Sequence, residues 1–201
     1  MISIIDCGIS NFGSIQNMLK KIGEESIVIT SPVELEKATK VILPGVGSFD
    51  HGMGALNESG MSEAILKIDK SIPILGICLG MQLMSKRSEE GVLDGLGIID
   101  AECKRIHAPK EANLKVPHMG WNTVHQRKKS LLLSNFEEDS RFYFVHSYYV
   151  ECNNESDVLA SSYYGVEFSS MIQHGNIYGV QFHPEKSHRF GINLFQKFSK
   201  L

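Results

Sequence analysis

Long apolar runs are missing from this sequence, and so are paired cysteines, basic stretches and linker-like segments. No hydrophobic segment approaches the ~18 residues of a membrane span. The first residues lack the basic-then-apolar pattern of a signal peptide. Lys and Arg number 20 against 23 Asp and Glu, and the net charge of −3 leaves no basic face for nucleic acid. Arg127-Lys128-Lys129 is too short to supply one and reads as a solvated turn. These absences predict a cytoplasmic protein with neither membrane nor nucleic acid among its partners. None of the 4 cysteines sits in a CxxC pair, and in a reducing compartment Cys7, Cys78, Cys103 and Cys152 stay thiols. A cysteine that matters here matters as a thiolate.

What is present is ordinary for a packed domain: 201 residues, 42% hydrophobic and 21% charged. No compositional break or internal repeat divides them, so residues 1–201 are read as one domain. In the first half, strands alternate with helices. Apolar runs at residues 2–6, 26–30, 40–43 and 72–77 predict buried strands. Ile15, Met18, Leu19 and Ile22 fall on one helical face with Gly23 placed to end that helix, and Ala64, Ile65 and Ile68 mark another. The pattern predicts an α/β fold with a mostly parallel central sheet between helices. Residues 98–106, 141–150, 158–164, 168–174 and 176–182 are strand-like and closely spaced, which predicts hairpins in a strand-rich second half. Phe190, Leu194 and Phe198 predict a closing helix. Chemistry in such sheets gathers beyond the carboxyl ends of the strands.

One such end carries Gly76-Ile77-Cys78-Leu79-Gly80, between an apolar strand and the helical Met81-Gln82-Leu83-Met84. This is the pattern of a nucleophile elbow with cysteine as nucleophile. An abrupt strand-to-helix turn strains the central residue and brings the positions two before and two after so close that side chains would clash. A buried core cysteine is the plain alternative, and is the rule for cysteines in general. Strand, glycine pair and helix together favour the nucleophile. Cys7, Cys103 and Cys152 have no such setting.

A thiol needs a base, and the base needs a group to fix its tautomer. Gln181-Phe182-His183-Pro184-Glu185 ends a strand, and in extended chain His183 and Glu185 project to one side, so Glu185 can orient the ring toward the thiol. The alternatives are an incidental surface ion pair, or half a metal site completed by His118, His146 or His188. No short His/Cys ligand cluster supports the metal, and none is expected. Pro44-Gly45-Val46-Gly47 follows the third strand. Its glycines let a backbone amide turn into the site as an oxyanion donor beside the amide of Leu79; taken alone it reads equally as a tight turn. Gly8 and Gly13 bracket four residues like a phosphate loop, but Ser14 stands where lysine is required and no GxGxxG exists, so no ATP, dinucleotide or other cofactor is expected.

Taken in this order, Pro44-Gly45-Val46-Gly47, Gly76-Ile77-Cys78-Leu79-Gly80-Met81-Gln82 and Gln181-Phe182-His183-Pro184-Glu185 resemble the class I (triad) glutamine amidotransferases, whose fold is flavodoxin-like. Within them the chain is most similar to the glutaminase subunits of imidazole glycerol phosphate synthase, through residues 115–122, 144–148 and the extension Lys186-Ser187. The likeness spans essentially the whole chain. It implies that Cys78 attacks the side-chain amide of glutamine, with His183 as base then acid and Glu185 as orienter. It implies oxyanion donors at Val46 and Leu79 beside Gly47, and a glutamine pocket lined by Gln82, Ser147 and Tyr148. It further implies that Asn11, Pro117, His118, Met119, Trp121 and Lys186 dock on a (β/α)8-barrel cyclase and guard an ammonia passage. For His118 and Trp121, interior packing is the rival role.

The family's Asp-Tyr-Gly-x-Gly-Asn reads here Asp6-Cys7-Gly8-Ile9-Ser10-Asn11. That departure falls in a loop expected at the partner interface. It keeps open a cyclase-like partner in acetamidino-sugar synthesis, which the run Ser187-His188-Arg189-Phe190-Gly191 also resembles. A stand-alone γ-glutamyl cysteine hydrolase and an inactive regulatory subunit are the readings from other classes.

Overall fold

Buried strands and helices alternate through the first half as the apolar runs predict. The structure, a computed structural model, describes residues 1–8, 10, 12–107, 114–134, 137 and 139–201. β1 (Ile2–Ile5), α1 (Phe12–Lys21), β2 (Ser26–Ile29), α2 (Pro32–Leu35), β3 (Val41–Gly45), α3 (Phe49–Glu58), α4 (Met61–Lys67), β4 (Ile74–Cys78) and α5 (Leu79–Leu83) follow in order. Then come β5 (Arg87–Ser88), β6 (Ala101–Arg105), β7 (His118–Thr123), β8 (His125–Gln126), β9 (Arg141–His146) and β10 (Tyr148–Cys152). β11 (Val158–Tyr163), β12 (Glu167–His174), β13 (Ile177–Val180) and the closing α6 (His188–Phe198) complete the set.

The main sheet runs β2-β1-β3-β4-β13-β12-β10-β6-β5. From β2 to β13 the pairings are parallel; β12 then runs antiparallel to both β13 and β10. The expected hairpin before the last sheet strand is present: β12 turns into β13 through Gly175 and Asn176, with Gly175 at φ +56°. Strand alternation feeds two cores. Ile4, Ile42, Leu75 and Ile77 face α1 and α6, where Ile15, Leu19, Phe195 and Phe198 pack. Ile5, Leu43 and Ile74 face the side of α3, α4 and α5, with Phe49, Met53, Ile65 and Leu83. Helices on both faces let every parallel strand be apolar without alternation to water.

Two expectations change. The run 141–150, read as one strand, breaks at Ser147 into β9 and β10, because the chain there leaves one sheet for another: β9 pairs with β7, β10 with β6 and β12. β7 itself and helices α2 and α3 were not expected. Among the described residues no helix is long and apolar enough to cross a membrane.

The elbow depends on close backbone contact. A Cβ on Gly80 would lie 1.8 Å from the Leu43 carbonyl oxygen, and one on Gly76 would lie 2.8 Å from the backbone of Gly80 and Met81. Gly80→Ala should therefore destabilise the fold by about 3 kcal/mol or more, since rigid backbone cannot yield. Gly54, inside α3 with open space around it, is the control. Gly54→Ala should stabilise by about 0.5–1 kcal/mol through helix propensity. Urea unfolding midpoints of the two variants, moving in opposite directions, check both.

Candidate active site

Strand β4 ends in Cys78 at φ 53°, ψ −109°, a left-handed conformation that costs energy for any residue with a Cβ. The side chain is nearly buried, 8% exposed, at the point where the strand becomes α5. The neighbouring parallel strand β13 ends one sheet position away, with Val180 in register with Ile77. Its continuation, Gln181-Phe182-His183, therefore rises beside the cysteine.

His183 and Glu185 meet, though by a different local geometry from the extended chain expected. Residues Pro184–Lys186 form a single 3-10 turn, and within it the ring Nδ1 and a Glu185 carboxylate oxygen lie 2.7 Å apart. The turn is pinned from two sides. Ser187 donates its hydroxyl to the His183 carbonyl at 2.6 Å and accepts the Tyr143 amide at 3.0 Å. Helix α6 presses on it so closely that a Cβ on Gly191 would lie 1.8 Å from the Pro184 oxygen. With Nδ1 engaged by Glu185, Nε2 is the nitrogen left to exchange a proton with Cys78; it is buried and has no hydrogen-bond partner.

Above the sulfur is a cavity of about 320 Å³, lined by Cys78, His183, Val46, Gly47, Leu79, Gln82, Ser147, Tyr148, Pro117 and Lys186. Most of the residues singled out from the sequence thus share one wall. The loop after β3 reaches the elbow because Gly45 has no side chain: a Cβ there would stand 3.0 Å from that of Leu79. Glu90 also lines the cavity and was not anticipated. It accepts the Phe49 amide at 2.8 Å, which ties the start of α3 to the pocket. Nothing local in Ser88-Glu89-Glu90 marks it, since only tertiary folding turns it inward.

The expected docking residues divide. Met119 and Trp121 alternate outward from β7, 61% and 46% exposed, and the Trp121 ring stacks face to face on His188 at 5.5 Å. His118 points the other way and is 3% exposed, sandwiched between Phe144 and Tyr164, so interior packing describes its side chain. Asn11 lies outside the described residues. Asp6 accepts hydrogen bonds from the Gly8 amide at 2.9 Å and the Ser10 hydroxyl at 3.3 Å, while the Cys7 sulfur lies 3.4 Å from the Ser59 hydroxyl. Ser10 thus closes a turn that glycine could not close in this way.

Three histidines in this region have shifted pKa values of opposite sign. For His183 burial opposes protonation, but Cys78 and the Glu185 carboxylate overcome it and raise the value to about 10. Desolvation lowers His118 to about 4; it also dominates at His146, where the Tyr148 carbonyl opposes it and the His118 and His183 rings add to it, and that value falls to about 3.

A protein-family model described as glutamine amidotransferase class-I matches residues 3–200. Imidazole glycerol phosphate synthase subunit HisH 2 of Methanococcus maripaludis is 51% identical, over 100% of this chain and 99% of its own length. Subunit HisH of Bdellovibrio bacteriovorus is 46% identical over all of both chains. Subunit HisH 2 of Pseudomonas aeruginosa is 45% identical, also over all of both. Solved structures share the fold at lower identity. PurLQS from Thermotoga maritima superposes with TM-score 0.75 at 16% identity, covering 99% of this chain and 97% of the other. A glutamine amidotransferase from Thermotoga maritima gives 0.66 at 19%, covering 99% and 82%.

The shifts set a pH dependence. A histidine whose folded value is raised lends stability in full below its unfolded value of ~6.5, and loses it as pH climbs through about 10. A histidine whose folded value is depressed does the opposite: below ~6.5 the unfolded chain takes up protons that the folded chain refuses, so stability falls toward pH 4 and 3 for His118 and His146. Histidine NMR should find the His183 ring protonated well above pH 8, with its titration moved down in Cys78→Ala and in Glu185→Gln. An ordinary midpoint near ~6.5 in the wild type would contradict the pairing.

Proposed function

Because this chain belongs to the class-I glutamine amidotransferase family, we propose that it is the glutaminase subunit of an imidazole glycerol phosphate synthase, with residues 1–201 acting as one amidotransferase domain in the cytoplasm. The observation that carries the chemistry is the buried His183 ring, paired to Glu185 at 2.7 Å on one nitrogen and unpaired on the other, beside a cysteine held at positive φ. Full-length similarity to HisH subunits supports the choice of synthase.

In this reading the proton of the Cys78–His183 pair already rests on His183, and the Cys78 sulfur attacks the γ-carbonyl of glutamine. The oxyanion forms against backbone amides of Val46 and Leu79, beside Gly47. When the C–N bond breaks, His183 returns the proton to the departing nitrogen, and ammonia leaves behind a γ-glutamyl thioester. A water then loses a proton to His183 and attacks; glutamate is released and the pair is restored with its proton on His183. Gln82, Ser147 and Tyr148 hold the substrate. The Glu90 carboxylate, facing the same cavity, takes the substrate's α-ammonium. Pro117, Met119, Trp121 and Lys186 form the rim on which a (β/α)8-barrel cyclase docks, with His118 supporting β7 from within; Asn11, outside the described residues, is assigned to that docking face by resemblance alone. Free ammonia would mostly protonate in water near neutral pH, so delivery through that interface preserves its nucleophilicity.

A second reading keeps the glutaminase and changes the partner to a cyclase-like barrel of acetamidino-sugar synthesis. Cys7 and Ser10 favour it, since they rebuild a loop near the expected interface. Two of the similar relatives are designated HisH 2.

Purified alone, the chain should hydrolyse glutamine slowly, and addition of its cyclase with that enzyme's ligand should raise turnover at least about tenfold. Cys78→Ala should lower activity by about a thousandfold or more. Glu90→Gln should raise KM for glutamine about tenfold with kcat little changed, the loss of a charge-assisted contact. Rapid turnover indifferent to any partner, or preference for γ-glutamyl peptides over glutamine, would overturn the subunit assignment. Which cyclase activates the chain separates the two partners.

A further inference from the structure

Between the cysteine and β7 lies a line of buried polar side chains, and one member touches the sulfur itself. Gln181, fully buried, donates from Nε2 to Cys78 Sγ at 3.7 Å. Its Oε1 accepts from Gln82 Nε2 at 3.1 Å, and that same nitrogen donates to the Tyr148 carbonyl at 2.9 Å. The Tyr148 carbonyl also lies 2.8 Å from His146 Nδ1, and His146 Nε2 lies 2.9 Å from His118 Nδ1. His118 Nε2 is 3.3 Å from the Asn122 amide nitrogen.

The direction of every bond in this line is forced. A backbone carbonyl only accepts, so Gln82 must present its NH2 group to Tyr148 and spend its second N–H on Gln181. Gln181 then has its oxygen committed, and only its NH2 is left for the sulfur. Turning the Gln181 amide over would set donor against donor at Gln82 and oxygen against sulfur at Cys78. On the other side the same carbonyl makes His146 Nδ1 a donor and Nε2 an acceptor, so His118 donates from Nδ1 and accepts from Asn122.

We propose that Gln181 is a further catalytic residue of the glutaminase, donating an N–H to the reacting sulfur, with Gln82 and the Tyr148 carbonyl as the positioning groups that fix its polarity. This rests on Cys78 being the nucleophile. The thiol and thiolate have different partners here. The S–H proton has the Val145 carbonyl, at 4.0 Å, or the His183 ring to receive it, whereas the bare sulfur has the Gln181 N–H as donor. The Gln181 contact therefore favours the thiolate, both before attack and when the thioester is cleaved and sulfur leaves. A hydrogen bond to a charged acceptor corresponds to roughly 10- to 100-fold in thiolate population. Part of this is returned as lower reactivity of each thiolate, since nucleophilicity follows basicity with a slope of about 0.4–0.5. The net gain is about three- to tenfold.

Iodoacetamide labelling of the full chain, resolved by peptide mass spectrometry and followed against pH, tests this together with glutaminase kinetics of the complex. In Gln181→Met and Gln181→Glu, Cys78 should be alkylated about three- to tenfold more slowly at neutral pH, with the profile displaced to higher pH. kcat should fall by a similar factor while KM for glutamine stays within about twofold, a split that loose packing would not produce. Gln181→Glu keeps the acceptor for Gln82 and carries the test if Gln181→Met does not fold. Wild-type rates and pH profile in a folded variant would overturn the proposal. Wild-type labelling that avoids Cys78 in favour of Cys7, Cys103 or Cys152 would instead defeat the reading of Cys78 as nucleophile, so the two failures are distinct.

Discussion

The parallel pairing of β4 with β13 is the constraint on which the site depends. Cys78 and His183 are far apart in sequence and neither has a use alone. Side-by-side strands running the same way end on the same rim, and the register Val180 with Ile77 sets both residues just past that rim. Had β13 joined the sheet antiparallel, as β12 does, His183 would emerge at the opposite edge. The parallel arrangement needs a long return path, and here that path is most of the second half of the chain. β12 delivers the chain back through the Gly175-Asn176 turn, so β13 starts at the edge where β4 starts.

Burial alone does not decide the charge of the histidines around this rim; their partners do. His146 and His183 are both buried, and desolvation is the largest influence on each. His146 has a carbonyl on one nitrogen, which offsets the cost of a positive charge only in part, and the His118 ring on the other, so desolvation prevails. His183 has a carboxylate and a sulfur, two groups that carry negative charge when ionised, and the balance reverses. One low-dielectric region thus holds a neutral pair across the facing strands β7 and β9 and a cation in the turn that β9 contacts through the Tyr143–His183 bridge.

How far this was legible in the sequence follows from the range of each signal. The elbow was readable because its glycines, strand and nucleophile lie within five consecutive positions, residues 76–80, and the steric reason acts at that range. The pairing of His183 with Glu185 was readable for the same reason, although the backbone forms a turn and not a strand there. α3 was missed because Gly52 and Gly54 look like helix breakers. Gly52 is there for α5: a Cβ would come within 3.1 Å of Leu83. β7 was missed because its alternation places a histidine inward and Met119 and Trp121 outward, the reverse of an ordinary half-buried strand. Ser187 and Gly191 serve contacts with β9 and Pro184 that exist only once α6 has docked. Glu90 and Gln181 likewise acquire their partners from elements remote in sequence.

The Tyr148 carbonyl shows why such residues resist reading from composition. As a side chain Tyr148 lines the cavity, but its main-chain oxygen is what orients two amides and two imidazoles. Every other polar group in that line can be drawn with donor and acceptor exchanged, because amides flip and imidazoles change tautomer. A carbonyl oxygen cannot, and it sits where β10 leaves Ser147, the same irregularity that separates β9 from β10. The break in the strand therefore has a chemical consequence. An unbroken ladder would direct this oxygen toward a neighbouring strand's amide. Here it meets both Gln82 and His146, and a single backbone acceptor then propagates a fixed polarity through side chains to the sulfur.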